Sequence, residues 1–95
     1  MVADQKTIEL LNATHEFPTA VMVKVIGYAK DGFVSRVVST VREHLSVEQD
    51  PPYRFRQTRT GKHIAITLEP QFNSAEDVLD LYERLQSVEG IVMTL

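Results

Sequence analysis

The stretch from residue 53 to 69 constrains this chain more than any other part of it. Two runs, YRFRQTR and KHIAITLE, flank Thr60-Gly61 and read as a β-hairpin closed by a two-residue turn. In that register Arg59 faces Lys62, Gln57 faces Ile64, Phe55 faces Ile66 and Tyr53 faces Leu68. On the opposite face Thr58 meets His63, Arg56 meets Ala65 and Arg54 meets Thr67. The first face is apolar toward the open end and the second is polar. A slip of one residue would destroy both alternations at once, so they fix a single register. Tyr53, Phe55, Ile64, Ile66 and Leu68 are therefore expected to point inward, and Arg54, Arg56 and His63 outward.

The elements around the hairpin follow from periodicity. Residues 19–28, TAVMVKVIGY, are rich in β-branched side chains and apolar on both faces apart from Lys24, as in a central strand entered after Pro18. Asp31 is a good N-cap for a helix whose apolar stripe is Val34, Val37, Val38, Val41 and Leu45. Its other side carries Ser35, Arg36, Ser39, Arg42 and Glu43, and Asp50-Pro51-Pro52 breaks the chain after it. Asn73 or Ser74 caps a second helix, with Asp77 in the place of a capping-box Glu. Val78, Leu79, Tyr82 and Leu85 form its stripe, Leu81 lies at the margin, and Gly90 suits the C′ position. IVMTL is a last strand, and Ile8-Glu9-Leu10-Leu11 is a short amphipathic segment near the N-terminus.

Strand, helix, strand, strand, helix, strand is the split βαβ order of the ferredoxin-like fold. The predicted class is α+β, a four-stranded antiparallel sheet with two helices on one face. The 95 residues suit a single domain over 1–95, and residues 1–15 leave room for a loosely attached N-terminal segment. With 43% hydrophobic and 24% charged residues the composition is that of a globular protein. No cysteine is present, so disulfides, thiolate metal sites and cysteine nucleophiles are excluded. The first residues lack a basic start followed by an apolar run, and no apolar stretch reaches the ~18 residues of a membrane span. The expectation is a cytoplasmic protein without membrane attachment.

Function has to be sought on the open face of the sheet. With Val21, Val23 and Val25 inward, that face carries Met22, Lys24 and Ile26, joined by Arg54, Arg56, His63 and Thr67 from the hairpin. Val92 and Thr94 of the last strand are expected to join them. The result is a mixed basic and apolar surface on a chain of net charge −3. As a functional surface it suits contact with another protein or with a second copy, a homodimer. A solvated sheet face with incidental arginines shows the same pattern, because antiparallel sheets tolerate one wet face.

RNA-recognition motifs share this fold and stack bases on outward aromatic side chains. Here the outward positions read as Met22, Lys24, Ile26, His63, Ala65 and Thr67, none aromatic, which disfavours nucleic acid. His15, His44 and His63 sit on separate elements without ligand spacing, so neither a metal nor a cofactor is expected. His44, near a helix end, suits the helix dipole instead. The chain contains no GxSxG, Walker-type GxxxxGK or HExxH motif. Acylphosphatases share the fold, but the loop equivalent to their phosphate cradle is Ala29-Lys30-Asp31-Gly32, with an acid where the anion would sit. A non-enzyme is expected.

Glu16-Phe17-Pro18-Thr19 followed by VMVKVIGYA resembles the YbeD-like family of small bacterial proteins. The resemblance continues through the valine-rich helix, HIAITL and LYERLQSVEGIVMTL, roughly residues 8 to 95, with a somewhat longer N-terminus before the EFPT element. It implies an ACT-like regulatory fold, and through some members an association with lipoate metabolism. The turn Lys30-Asp31-Gly32-Phe33-Val34 also resembles the Asp-x-x-Gly-Leu turn at which ACT domains bind amino acids, though with shorter spacing. By that resemblance Asp31, Gly32 and Phe33 would present backbone N–H groups to a carboxylate at a helix N-terminus. An N-cap followed by a glycine turn needs no such ligand.

Overall fold

The computed structural model describes residues 5–95. Helix α1 (Gln5–Thr14) is followed by the short strand β1 (Thr19–Ala20), strand β2 (Val23–Tyr28) and helix α2 (Phe33–Leu45). Strands β3 (Tyr53–Gln57) and β4 (His63–Leu68) form the hairpin; β5 (Gln71–Phe72), α3 (Ala75–Leu85) and β6 (Ile91–Thr94) complete the order. The architecture is α+β, with three helices among the described residues, a four-stranded antiparallel sheet and a two-stranded one. The larger sheet runs β3-β4-β2-β6, so β2 and β4 are central and β3 and β6 are edges.

The single strand expected over residues 19–28 is two. Thr19 and Ala20 pair with Phe72 and Gln71 in the small sheet, and the chain enters the main sheet only at Val23. Val21 still donates to the Pro70 carbonyl at 3.2 Å, so the link between the two pieces is held at its start. The Phe17–Pro18 peptide ahead of this segment is cis.

The five hairpin pairs from Tyr53↔Leu68 to Gln57↔Ile64 stand in the register read from the alternation. The turn is longer than expected. Gly61, with φ +75°, donates to the Thr58 carbonyl at 2.9 Å, and Thr58 N–H reaches the His63 carbonyl at 2.9 Å. Residues 59–62 are therefore loop, and Arg59 and Lys62 do not form a strand pair. Glycine tolerates the left-handed φ that this closure requires.

Helix α2 forms against its own propensities. Its four valines together cost roughly 2 kcal/mol relative to alanine, whereas burying each of Val37, Val38 and Val41 contributes roughly 1.5–3 kcal/mol, so packing wins. Gly32, not Asp31, is the N-cap, in the left-handed conformation and without a side-chain cap bond. Phe33 opens the helix and is buried, its ring lying where a Cβ on Gly27 would have to go, 2.2 Å from Cζ. The helix and strand β2 thus meet through a ring seated on bare backbone.

Helix α3 is capped by Ser74, whose hydroxyl accepts from Asp77 N–H at 3.1 Å. Asp77 answers through Asn73 N–H at 3.2 Å and His44 Nε2 at 2.8 Å, which joins the end of α2 to the start of α3. His44 therefore has a carboxylate partner in addition to its place in the last turn of α2. The buried stripe of α3 is Ala75, Val78, Leu81 and Leu85; Leu81 is at its centre rather than its margin, while Leu79 and Tyr82 are half-buried. The helix ends at Leu85 with Gln86 as C-cap, so Gly90 serves the turn into β6 and not the helix terminus. Both helix stripes join Val23, Val25, Ile64, Ile66 and Leu68 in one core. Ile8 of α1 is buried and Leu11 packs against that core, with α1 contacting α3.

Candidate functional site

The sheet face away from this core carries side chains in three cross-strand rows. Leu95, Lys24, Thr67 and Arg54 make the first, with Leu95 N–H donating to the Lys24 carbonyl at 2.8 Å. Met93, Ile26, Ala65 and Arg56 make the second. The third pairs Tyr28 with His63, their rings 5.3 Å apart and tilted by 31°. Lys24, Arg54 and Arg56 are exposed around a floor of Ala65 and Thr67, a shallow depression of about 380 Å³ with Phe55 at its rim.

The residues singled out from the sequence are therefore brought together, with corrections at three places. Met22 is exposed but lies in the connection between β1 and β2, outside the sheet. In β6 the register skips at Val92: Gly27 pairs with Ile91, but Ile26 pairs with Met93. That irregularity moves Thr94 to the helix side, where Gln86 Nε2 donates to its hydroxyl at 3.2 Å, and leaves Met93 and Leu95 on the open face. Tyr28, overlooked in the sequence reading, belongs to the outward set by the same parity as Lys24 and Ile26. The open face consequently does carry an aromatic ring, with Lys30 Nζ 6.0 Å from its centre.

The face is sorted by chemistry. Its β2–β6 half is apolar apart from Lys24, with Tyr28, Val92, Met93 and Leu95 all close to half exposed or more. Its β3–β4 half is basic. Residues 19–28, 53–68 and 91–95 contain Lys24, Arg54, Arg56, Arg59 and Lys62 and no Asp or Glu, whereas α3 alone carries Glu76, Asp77, Asp80 and Glu83. Glu69 places its carboxylate 3.8 Å from Arg54 across an exposed gap and neutralises little.

The inward half of the hairpin also differs from expectation at its edge. Ile64, Ile66 and Leu68 are buried, but Tyr53 and Phe55 are 43% and 56% exposed. They share the helix-side face with their β4 partners, yet β3 lies beyond the cover of the helices. Tyr53 instead borders a groove that includes Val34, Val38 and Arg42 of α2 and Asp50.

The turn before α2 has a different character. Phe33 N–H donates to the Lys30 carbonyl at 3.1 Å, and the Phe33 side chain is in the core. The Arg36 guanidinium lies over Gly32, giving Nη1 to the Asp31 carbonyl at 3.0 Å and Nη2 to the Glu89 carbonyl at 3.3 Å. Asp31, Gly32 and Phe33 are thus adjacent, but only Asp31 and Gly32 remain exposed.

Among the described residues no three His, Asp or Glu side chains are grouped to hold a metal ion, and no helix is long and apolar enough to cross a membrane. Tyr82 donates its hydroxyl to the Leu95 carbonyl at 2.7 Å, and burial pushes its pKa up from 10.0.

Together these features define a small α+β protein with one covered sheet face and one exposed face sorted into apolar and basic halves. The chain belongs to the family described as protein of unknown function (DUF493), whose model matches residues 12–95. This is the group of small bacterial proteins to which the YbeD-like resemblance pointed. The UPF0250 protein of Shewanella loihica is 33% identical over 92 residues, covering 97% of this chain and 98% of that one. The UPF0250 protein of Shewanella sediminis matches to the same extent, 33% over 92 residues. The solution structure of protein HP0495 from H. pylori is similar with a TM-score of 0.62 at 18% identity over 85% of each chain, a likeness of fold alone.

Proposed function

We propose that this protein is a non-enzymatic regulatory or adaptor domain, of ferredoxin-like and ACT-like fold, that works through protein contact on its open sheet face. The observation that carries this reading is the sorting of that face. An exposed apolar stripe of Tyr28, Val92, Met93 and Leu95 adjoins Lys24, Arg54 and Arg56 with no acidic residue in the sheet. Apolar exposure of this extent beside like charges is the anatomy of a contact surface, an apolar centre with a charged flank that fixes orientation. A photo-reactive residue at Met93, compared with one at Asp80 on α3, tests the reading in the cells that make the protein. A discrete protein adduct at Met93, absent at Asp80 and lost with Arg54→Glu plus Arg56→Glu, supports it. An adduct with nucleic acid, for which the Tyr28–His63 ring pair offers a stacking surface, would overturn it in favour of RNA binding.

A second reading, small-ligand sensing of the ACT type, draws support from the Arg36 guanidinium beside the Asp31–Gly32 turn. That cation and the start of α2 suit a carboxylate. Lipoate-related acids and amino acids are the ligands to screen, the former because of the family association. A rise in melting temperature at millimolar ligand that disappears in Arg36→Gln supports sensing; no rise with any of them refutes it.

A further inference from the structure

We infer that β3 is a docking edge that takes up an extended acidic segment of a partner protein as an additional strand of the main sheet. This rests on the contact-module reading and names the partner's chemistry. Among the described residues, strand β3 is paired on one side only. Glu69 N–H donates to the Pro52 carbonyl and Thr58 N–H to the His63 carbonyl, so even-numbered residues of β3 turn their backbone groups toward β4. By the alternation of antiparallel ladders, the N–H and C=O groups of Tyr53, Phe55 and Gln57 then point to the free edge. An unpaired row of this kind is a template for another strand.

The side chains choose the strand. On the helix side, Tyr53 borders the groove along Val34 and Val38 of α2, and Tyr53 and Phe55 both remain exposed, presenting apolar surface to alternate residues of a guest. On the open side, Arg54 and Arg56 flank the edge, with Arg59 and Lys62 in the loop at its end. A guest with acids on that side and apolar residues on the other satisfies both faces. A second copy of β3 does not: antiparallel pairing centred on Phe55 sets Arg54 directly opposite Arg56 of the other copy, and like charges so placed are destabilising. The same arginines that guard the edge against its own kind select an acidic partner.

The test uses the full chain, amide NMR, and a capped peptide of about seven residues alternating glutamate and valine, with lysine-for-glutamate and scrambled counterparts. The expected result is saturable shifts at Tyr53, Phe55, Gln57 and the Val34–Ser39 flank of α2 with the acidic peptide only. Phe55→Pro removes one edge donor while leaving the pairing with β4 intact, so it weakens binding about tenfold in a protein whose other amide signals are unchanged. Arg54→Glu plus Arg56→Glu, which leaves the backbone edge in place, exchanges the preference to the lysine peptide. Equal binding of both peptides by the unaltered protein, or indifference to Phe55→Pro, overturns the inference. Shifts centred on Ile26 and Met93 also overturn it, although the contact-module reading would then survive. Self-association through β3, or preference of the same edge for single-stranded RNA, overturns it as well.

Discussion

Gly27 and Phe33 show how little room single positions leave in this structure. A Cβ at residue 27 would stand 2.2 Å from the Phe33 ring, which is itself buried between β2 and α2. Gly27→Ala is expected to lower stability by about 3 kcal/mol in urea denaturation, the upper range for overpacking, and a smaller side chain at position 33 to restore part of it. Tyr82 supplies the pH-dependent residue. Its pKa is raised by burial from 10.0, so above that value the unfolded chain releases a proton that the folded chain keeps. The unfolded state binds fewer protons there, and stability falls as pH rises. The contribution is fully present below 10.0 and is lost as pH climbs through the raised value. Tyr82→Phe should flatten that alkaline loss in denaturation midpoints, although it also removes the bond to the Leu95 carbonyl.

At the scale of elements, the hairpin shows both the reach of the sequence and its limit. Alternation determines which residues pair, because parity is a local property, and all five pairs of β3 with β4 follow from it. Closure depends on backbone dihedrals that residue types only weakly restrict, and the turn at Thr58–Gly61 is longer than its Thr-Gly pair suggests. Gly61→Ala should cost about 1–2 kcal/mol from the left-handed φ alone, since no atom lies within 4 Å of the added methyl. An unchanged midpoint would contradict that conformational account. Exposure is also beyond alternation: Tyr53 and Phe55 share a face with Leu68 and Ile66, and only the placement of α2 leaves them uncovered. In β6 the irregularity at Val92 reverses parity beyond it, so Met93 and Leu95 join the outward set and Thr94, which the sequence placed there, turns to the helix side. In α3 the buried stripe is Ala75, Val78, Leu81 and Leu85, and Ala75 is too weakly hydrophobic to have marked that face in the apolar pattern.

Across the whole molecule, charge is unevenly distributed. The strands are basic, α3 is acidic, and a net charge of −3 conceals this division. The open-face residues Lys24, Ile26 and His63 were legible because each lies in a regular strand with one buried side, and Arg54 and Arg56 because β3 keeps the register of its buried partner β4. Asp31, Gly32 and Phe33 were legible as a turn but not as a surface, since the fate of Phe33 depends on a glycine six residues upstream across the core. Because Arg54 and Arg56 are exposed and, among the described residues, make only one long ion pair, reversing both charges should leave unfolding midpoints within about 0.5 kcal/mol of the parent. Their effect belongs to association. A large loss of stability in the double variant would show that they serve the fold instead.

The ring of Phe33 on the bare backbone of Gly27 also limits the order in which this protein can change over generations. A lineage that enlarges residue 27 first passes through a badly strained intermediate. One that first trades the ring for a smaller side chain passes through a cavity, which weakens the fold but does not force α2 off the sheet. The two positions are therefore expected to drift as a pair, with position 33 moving first. Ancestral reconstructions of the family can examine that order directly.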